Sequence, residues 1–188
     1  MSAEENSFNL INLNNNDKIN ADDKSSMPYN LEAEQSFLGA ILFDNTTIEN
    51  TMDLIKDYHH LYEPLHQEIY QACLILFNNN KLADPTTLKG YLRDKNPNRK
   101  IDISDYLSKL RGSVLSISNI NSYANEIKNC YLRRCLVRIS DDIRENSLNI
   151  KIDTSPEDLI ERAEESLFNL AEKDRVDNGP QKFQVTLK

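Results

Sequence analysis

The sequence predicts an all-α protein: a globular multi-helix head followed by a long antiparallel helical hairpin. Three observations predict it. Apolar residues recur every three or four positions in one segment after another, the spacing of helices with one buried face. Clusters of Asn, Asp and Pro separate those segments. From residue 119 to about 146 neither Gly nor Pro interrupts the pattern, enough for a helix of about 40 Å, too long to lie within a head of some ninety residues. Only residues 181–188 show a short, incomplete alternation, and no other stretch reads as a strand.

Residues 1–27 have the Asn-rich, polar composition of a disordered tail. Phe8, Leu10, Ile11 and Leu13 form an apolar island in it, read either as coil with incidental apolar residues or as a docking peptide. Pro28 biases Met27 away from helix. The first helix follows, with Asn30 as its cap. Glu32 and Glu34 sit where the positive end of the helix dipole favours carboxylates. Leu31, Leu38, Ile41 and Leu42 make its apolar stripe, flanked by Phe37 and Phe43. Gly39, which costs about 1 kcal/mol relative to Ala in mid-helix, marks a close approach of another element.

A second helix is expected over 45–56 through Ile48, Met52 and Ile55, capped by Asp44 or Asn45. Residues 57–62 should break it. Glu63-Pro64 opens the next, since Pro suits the first helical position; Leu65, Ile69, Ala72, Cys73, Leu76 and Phe77 are its buried stripe, and Asn78-Asn79-Asn80 stops it. Asp84-Pro85 is a strong helix start for Leu88, Tyr91 and Leu92. After a polar loop with Pro97, a short helix near 104–110 buries Tyr106, Leu107 and Leu110, and Gly112 with the serines of 113–118 forms a connector.

The long helix carries Ile120, Tyr123, Ala124, Ile127, Tyr131, Cys135, Ile139 and Ile143 along one stripe. A turn at 148–153 leads to Thr154-Ser155-Pro156-Glu157-Asp158, a capped start with acids in the first turn. The last helix runs to about residue 172 with Leu159, Ile160, Ala163, Leu167, Leu170 and Ala171 inward. Two long helices joined by a short turn make a hairpin. The organisation expected is thus a tail (1–27), a head (28–118), a hairpin (119–173) and a linker (174–188). Basic residues load the first arm (Lys128, Arg133, Arg134, Arg138, Arg144) and acidic ones the second (Glu157, Asp158, Glu161, Glu164, Glu165). They read as a solvated face or as a zipper within or between chains.

Over 188 residues the formal net charge is -8 and the mean hydropathy -0.61. Such a chain should not hold nucleic acid tightly by itself, because phosphate binding needs clustered Lys and Arg. Three cysteines, Cys73, Cys130 and Cys135, without paired spacing, suit a reducing compartment. No run approaches a membrane span, and the acidic start, Met1-Ser2-Ala3-Glu4-Glu5, lacks a signal peptide's pattern. A cytoplasmic protein is expected.

No catalytic constellation emerges. The four glycines, Gly39, Gly90, Gly112 and Gly179, build neither a P-loop nor GxGxxG. His59, His60, His66 and Cys73 are the candidate metal ligands, but without CxxC or HExxH spacing. His66 is expected beside the carboxylates Glu63 and Glu68.

The order of the elements carries more information. Pro28-Tyr29-Asn30-Leu31-Glu32-Ala33-Glu34-Gln35-Ser36-Phe37-Leu38-Gly39-Ala40-Ile41-Leu42 resembles the opening of the N-terminal domain of DnaB-family bacterial replicative DNA helicases. Tyr58 through His66-Gln67-Glu68-Ile69-Tyr70-Gln71-Ala72, then Ala83-Asp84-Pro85-Thr86-Thr87-Leu88, Tyr106-Leu107, Asn121-Ser122-Tyr123-Ala124 with Arg133-Arg134, and Ala163-Glu164 with Leu167-Phe168 are similar to that family's pieces in the family's order. The resemblance spans about residues 28–175. It implies a non-catalytic assembly module: hairpins that pair into dimers, and three dimers forming a collar on a hexameric ring. Primase and, in some bacteria, a loader would dock there. ATP, Mg and DNA would be handled by a RecA-like C-terminal domain absent from this sequence, so no catalytic, cofactor or metal residue is assigned here. Tyr131, Arg134, Arg138, Leu159, Ala163 and Leu167 are the expected inter-chain face. The alternative for the apolar ones is that they close the hairpin itself. The rival readings are a free-standing helical adaptor and a small metal-dependent hydrolase using His66.

Overall fold

A computed structural model describes residues 27–95, 102–114, 119–149 and 155–178. The tail 1–26, residues 96–101 with Pro97, residues 115–118 of the serine connector, residues 150–154 at the hairpin turn and the linker beyond 178 lie outside them. Every regular element among the described residues is helical. They are α1 (Leu31–Phe43), α2 (Thr46–Thr51), a 3-10 turn (Tyr58–His60), α3 (Pro64–Asn78), α4 (Pro85–Lys95), α5 (Ile103–Gly112), α6 (Ile120–Leu148) and α7 (Pro156–Asn178).

The ends follow from local chemistry. Asn30 Oδ1 accepts from the Ala33 amide at 3.0 Å. Asp84 caps α4 through the amides of Thr86 and Thr87, both at 2.8 Å. Asp102 caps α5 by accepting from Ser104 and Asp105. At the end of α3, Asn80 adopts φ 53°, the left-handed cap that Asn tolerates after Gly, so the Asn triplet stops the helix as expected. Asn45 lends α2 no side-chain cap and instead pins α1 to the segment before α4, donating to the carbonyls of Ile41 and Ala83 and accepting from the Ala83 amide. α2 is shorter than 45–56 because it ends at Thr51, yet Ile55 is still fully buried.

The core forms around α1, which packs on α2, α3, α5 and α6. Phe37, Leu38, Ile41 and Leu42 are sealed there with Ile69, Tyr70, Leu88, Leu92, Tyr106 and Leu107, each such apolar side chain stabilising the fold by about 1.5–3 kcal/mol. Phe43, expected beside the stripe, is exposed at the end of the helix. Gly39 is where α5 crosses: an added Cβ would lie 2.5 Å from the Leu110 carbonyl oxygen and 2.9 Å from Val114 Cγ2.

Two expected boundaries move. Ile120, Ala124 and Ile127 of α6 belong to the head's core, so the long helix is a wall of the head for its first turns and leaves it only afterwards. α7 continues to Asn178, past the expected end near residue 172 and into the expected linker. The arms run antiparallel. Residues 131–139 of α6 share a cleft with 166–170 of α7, and residues 139–146 share a groove with 159–166, so the register descends on one arm as it rises on the other.

Candidate functional site

Two polar assemblies stand out, one sealed inside the head and one where the hairpin leaves it. The first centres on Glu34. The sequence suggests a dipole partner for its own helix. The structure instead buries its carboxylate and aims it across at α3, where Oε1 accepts from the Tyr62 amide at 2.6 Å and Oε2 from the Glu63 amide at 3.3 Å. Glu63 itself provides no side-chain cap. Glu34 thus satisfies amide groups at the start of a helix it does not belong to, with its charge on the favourable end of that helix's dipole.

The same Oε2 accepts from His66 Nδ1 at 2.7 Å, and His66 Nε2 lies 2.6 Å from the Tyr106 hydroxyl. In the neutral ring, Nε2 accepts from that hydroxyl, which in turn accepts from Gln35 Nε2 at 3.5 Å. Burial pushes the Tyr106 phenol up to about 12, so it keeps the proton this arrangement needs. The partner of His66 is therefore Glu34, and neither Glu63 nor Glu68 as expected. With His66 0% exposed, the chain is closed to any substrate, and its chemistry is to hold α1, α3 and α5 in one register. Buried polar groups that are fully paired do this, because any slip strands a donor or acceptor in a low dielectric.

The second assembly is the junction. Arg134, only 3% exposed, donates through Nη1 to the Pro28 carbonyl at 2.9 Å and through Nη2 to the His60 carbonyl at 2.6 Å. Its guanidinium lies 5.6 Å from the Tyr62 ring centroid and 5.9 Å from that of Tyr131, within the reach of cation–π attraction. Tyr62 stacks on Tyr29 with centroids 4.6 Å apart, and Tyr131 stacks on His60 at 4.3 Å. Burial lowers the pKa of His60 below its ordinary value, against the opposing pull of Asp57.

The six residues expected on an inter-chain face are scattered by this geometry. Arg134 is buried, and two of its guanidinium N–H groups tie the residues before α1 and the 3-10 turn to α6. Tyr131 and Arg138 line a cleft of about 570 Å³ at the junction, together with His60, Lys128, Cys135 and Leu170. Leu159 and Ala163 line the groove between the two arms with Ile139 and Ile143. Leu167, like Arg138, is exposed, at 45%; Ile160, expected inward with it, is instead 59% exposed, and Phe168 beside it 61%. The signal was available, since residues 160, 164, 167, 168 and 171 share a helical face beside the 159, 163, 166, 170 face that meets α6. Among the described residues no group of three or more His, Cys, Asp or Glu is placed to hold a metal ion, and no helix is long and apolar enough to cross a membrane.

Known proteins share this fold. Residues 26–129 match the family model of the DnaB-like helicase N terminal domain. The chain is 31% identical over 167 residues to the replicative DNA helicase DnaB of Rickettsia typhi, covering 87% of this chain and 33% of that protein. It is 33% identical over 162 residues to that of Pasteurella multocida, covering 85% of this chain and 34% of that one. The chain thus spans about a third of the length of the curated relatives it matches. Among solved structures, the N-terminal domain of DnaB helicase from Mycobacterium tuberculosis superposes with a TM-score of 0.69 at 26% identity, over 77% of this chain and 99% of that one. A DnaB-like replicative helicase studied for its interactions with primase superposes with a TM-score of 0.60 at 24% identity, over 75% of this chain and 31% of that one.

Proposed function

Because the chain belongs to the DnaB-like helicase N-terminal domain family, we propose that it is the assembly and primase-docking module of a hexameric replicative helicase. The single observation that carries the assembly reading is the outward apolar row Ile160, Leu167 and Phe168 on α7. A second copy's hairpin would cover it, giving dimers and then a trimer of dimers. Leu167 is the residue of the expected inter-chain face that this reading keeps outermost; Leu159 and Ala163 hold the arms together behind it. The head, residues 28–118 with the first turns of α6, would be the rigid part of each collar unit, and the hairpin the part that pairs. ATP and Mg would act in the motor domain that the matched relatives' remaining length accommodates, and the ring, with DNA threading it, would unwind duplex DNA in the cytoplasm. A loader is a further expected partner.

The test is light scattering on the purified chain, followed by titration with primase. Dimers or larger species that dissociate on the double substitution Leu167→Glu, Phe168→Glu are expected, together with binding of primase by the assembled form. A strict monomer at high concentration that ignores primase would overturn the reading.

A further inference from the structure

The cleft at the base of the hairpin lies beside the point where the N-terminal segment joins the folded chain. Met27 lines a smaller groove with Tyr62, Tyr131, Arg134 and Arg138, and two of those, Tyr131 and Arg138, also line the 570 Å³ cleft. Arg134 fixes the spot by holding the Pro28 carbonyl. Whatever precedes Met27 therefore starts at the mouth of the cleft. Its lining is apolar at Tyr131, Leu132, Ile139 and Leu170 and carries the cations Lys56, Lys128 and Arg138 with the single carboxylate of Asp57. Residues 1–26 bring the complementary chemistry: five carboxylates (Glu4, Glu5, Asp17, Asp22, Asp23) against two lysines (Lys18, Lys24), and one apolar island, Phe8, Leu10, Ile11 and Leu13.

We propose that this cleft is the docking site of the chain's own residues 8–13. Reach is ample, because the thirteen residues 14–26 span up to about 45 Å when extended. The tether also removes most of the cost of association. A short flexible linker gives an effective concentration in the millimolar range, so a contact too weak to hold a free peptide suffices in the same chain. A cleft of this size falls in the range of about 300–1,000 Å³ typical of sites that enclose a small ligand, enough for two or three of the island's side chains at once. Docked, the island covers Tyr131, Cys135 and Arg138 at the base of the hairpin. The proposal does not rest on self-association.

Two measurements on the full chain decide it. A benzophenone amino acid in place of Phe8, irradiated and mapped by peptide mass spectrometry, should cross-link to Tyr131, Leu132, Cys135 or Leu170. In a mixture of isotopically heavy and light copies, the product should join segments of one copy. Cross-links between copies would assign the cleft to a second chain's tail, and cross-links scattered over the head would leave it unoccupied; either result overturns the proposal. The second measurement is alkylation of Cys135, the half-buried thiol on the cleft wall. Replacing Phe8, Leu10, Ile11 and Leu13 together with Ser should speed it at least threefold, as should Arg138→Glu. Cys73, fully buried and with its thiol pushed up to about 12 by that burial, should stay unreacted and report an intact head. An unchanged Cys135 rate overturns the proposal, and light scattering on the same samples reads self-association separately.

Discussion

The head and the hairpin are built from the same kind of helix and end in opposite states. In α1, nine of the thirteen residues are buried, including the polar Glu34 and Gln35. In α7 none of the residues from 155 to 172 is buried, and in α6 none is beyond Arg134. Most helical stability in proteins comes from packing an apolar face rather than from propensity. The head therefore closes on itself, whereas the hairpin's outer half packs arm on arm and presents its other faces to solvent. A row such as Ile160, Leu167 and Phe168 on an otherwise charged arm has the character of an unfinished core.

The largest test of that contrast is Glu34→Ala. It strands the His66 ring N–H and the amides of Tyr62 and Glu63, and should cost about 3 kcal/mol or more, since each donor left without its acceptor costs about 1–3 kcal/mol; urea unfolding measures it. Arg134→Met comes next. It removes the donors to the buried His60 carbonyl and the part-buried Pro28 carbonyl and should destabilise the junction by about 1–3 kcal/mol, with hydrogen exchange rising near residues 28 and 60 before the rest of the head. Gly39→Ala should cost a similar or slightly smaller amount, about 1–3 kcal/mol for overpacking, because the added methyl must push back a carbonyl on α5. The gain of about 1 kcal/mol in helix propensity offsets it only in part. On the hairpin side, Leu167→Glu with Phe168→Glu should change the stability of the single chain by no more than about 0.5 kcal/mol while abolishing association. A loss comparable to that of Glu34→Ala would show that the arm is already finished within one chain.

The acid response sharpens the same contrast. The folded His60 resists protonation, so the unfolded chain takes up that proton first as pH falls below the ordinary value of 6.5. Its contribution is present above that pH and is lost below it. The melting temperature should therefore decline from pH 7 to 5.5, and His60→Gln should flatten that slope. On the hairpin, Asp158 accepts from the Ser155 amide at 3.0 Å while the Ser155 hydroxyl accepts from the Asp158 amide at 3.1 Å. This pairing holds the carboxyl below its ordinary 3.8. The start of α7 should keep its cap down to about that pH and fray beneath it, the smallest of these effects, seen as a loss of helical circular dichroism that Asp158→Asn removes.

Periodicity and caps made the helices legible. Asn30, Asp84 and Ser155 each mark an end through contacts within three residues, and Pro64 through its fixed backbone angle. Gly39 was legible too, since a mid-helix glycine has few other uses. What stayed hidden was longer in range. Glu34 reads locally as a first-turn acid, and nothing within four residues reveals that it caps a helix about thirty positions on. Arg134 reads as one of several surface cations on a charged arm, because its two carbonyl acceptors are 74 and 106 residues away. Yet Glu34, His66, Tyr106 and Arg134 each fall in a different piece of the family resemblance. Four of those pieces supply the two polar assemblies seen in three dimensions.

Finally, α6 is one uninterrupted helix with two employments. Its first turns are clamped in the core and its last fourteen residues extend past Arg134. That geometry is a lever with its fulcrum at a guanidinium. The free arm is about 21 Å long, so a tilt of about 5° at the fulcrum carries its tip about 2 Å. Torque applied to the far end of the hairpin is therefore delivered to Pro28 and His60, the two carbonyls that Arg134 grips.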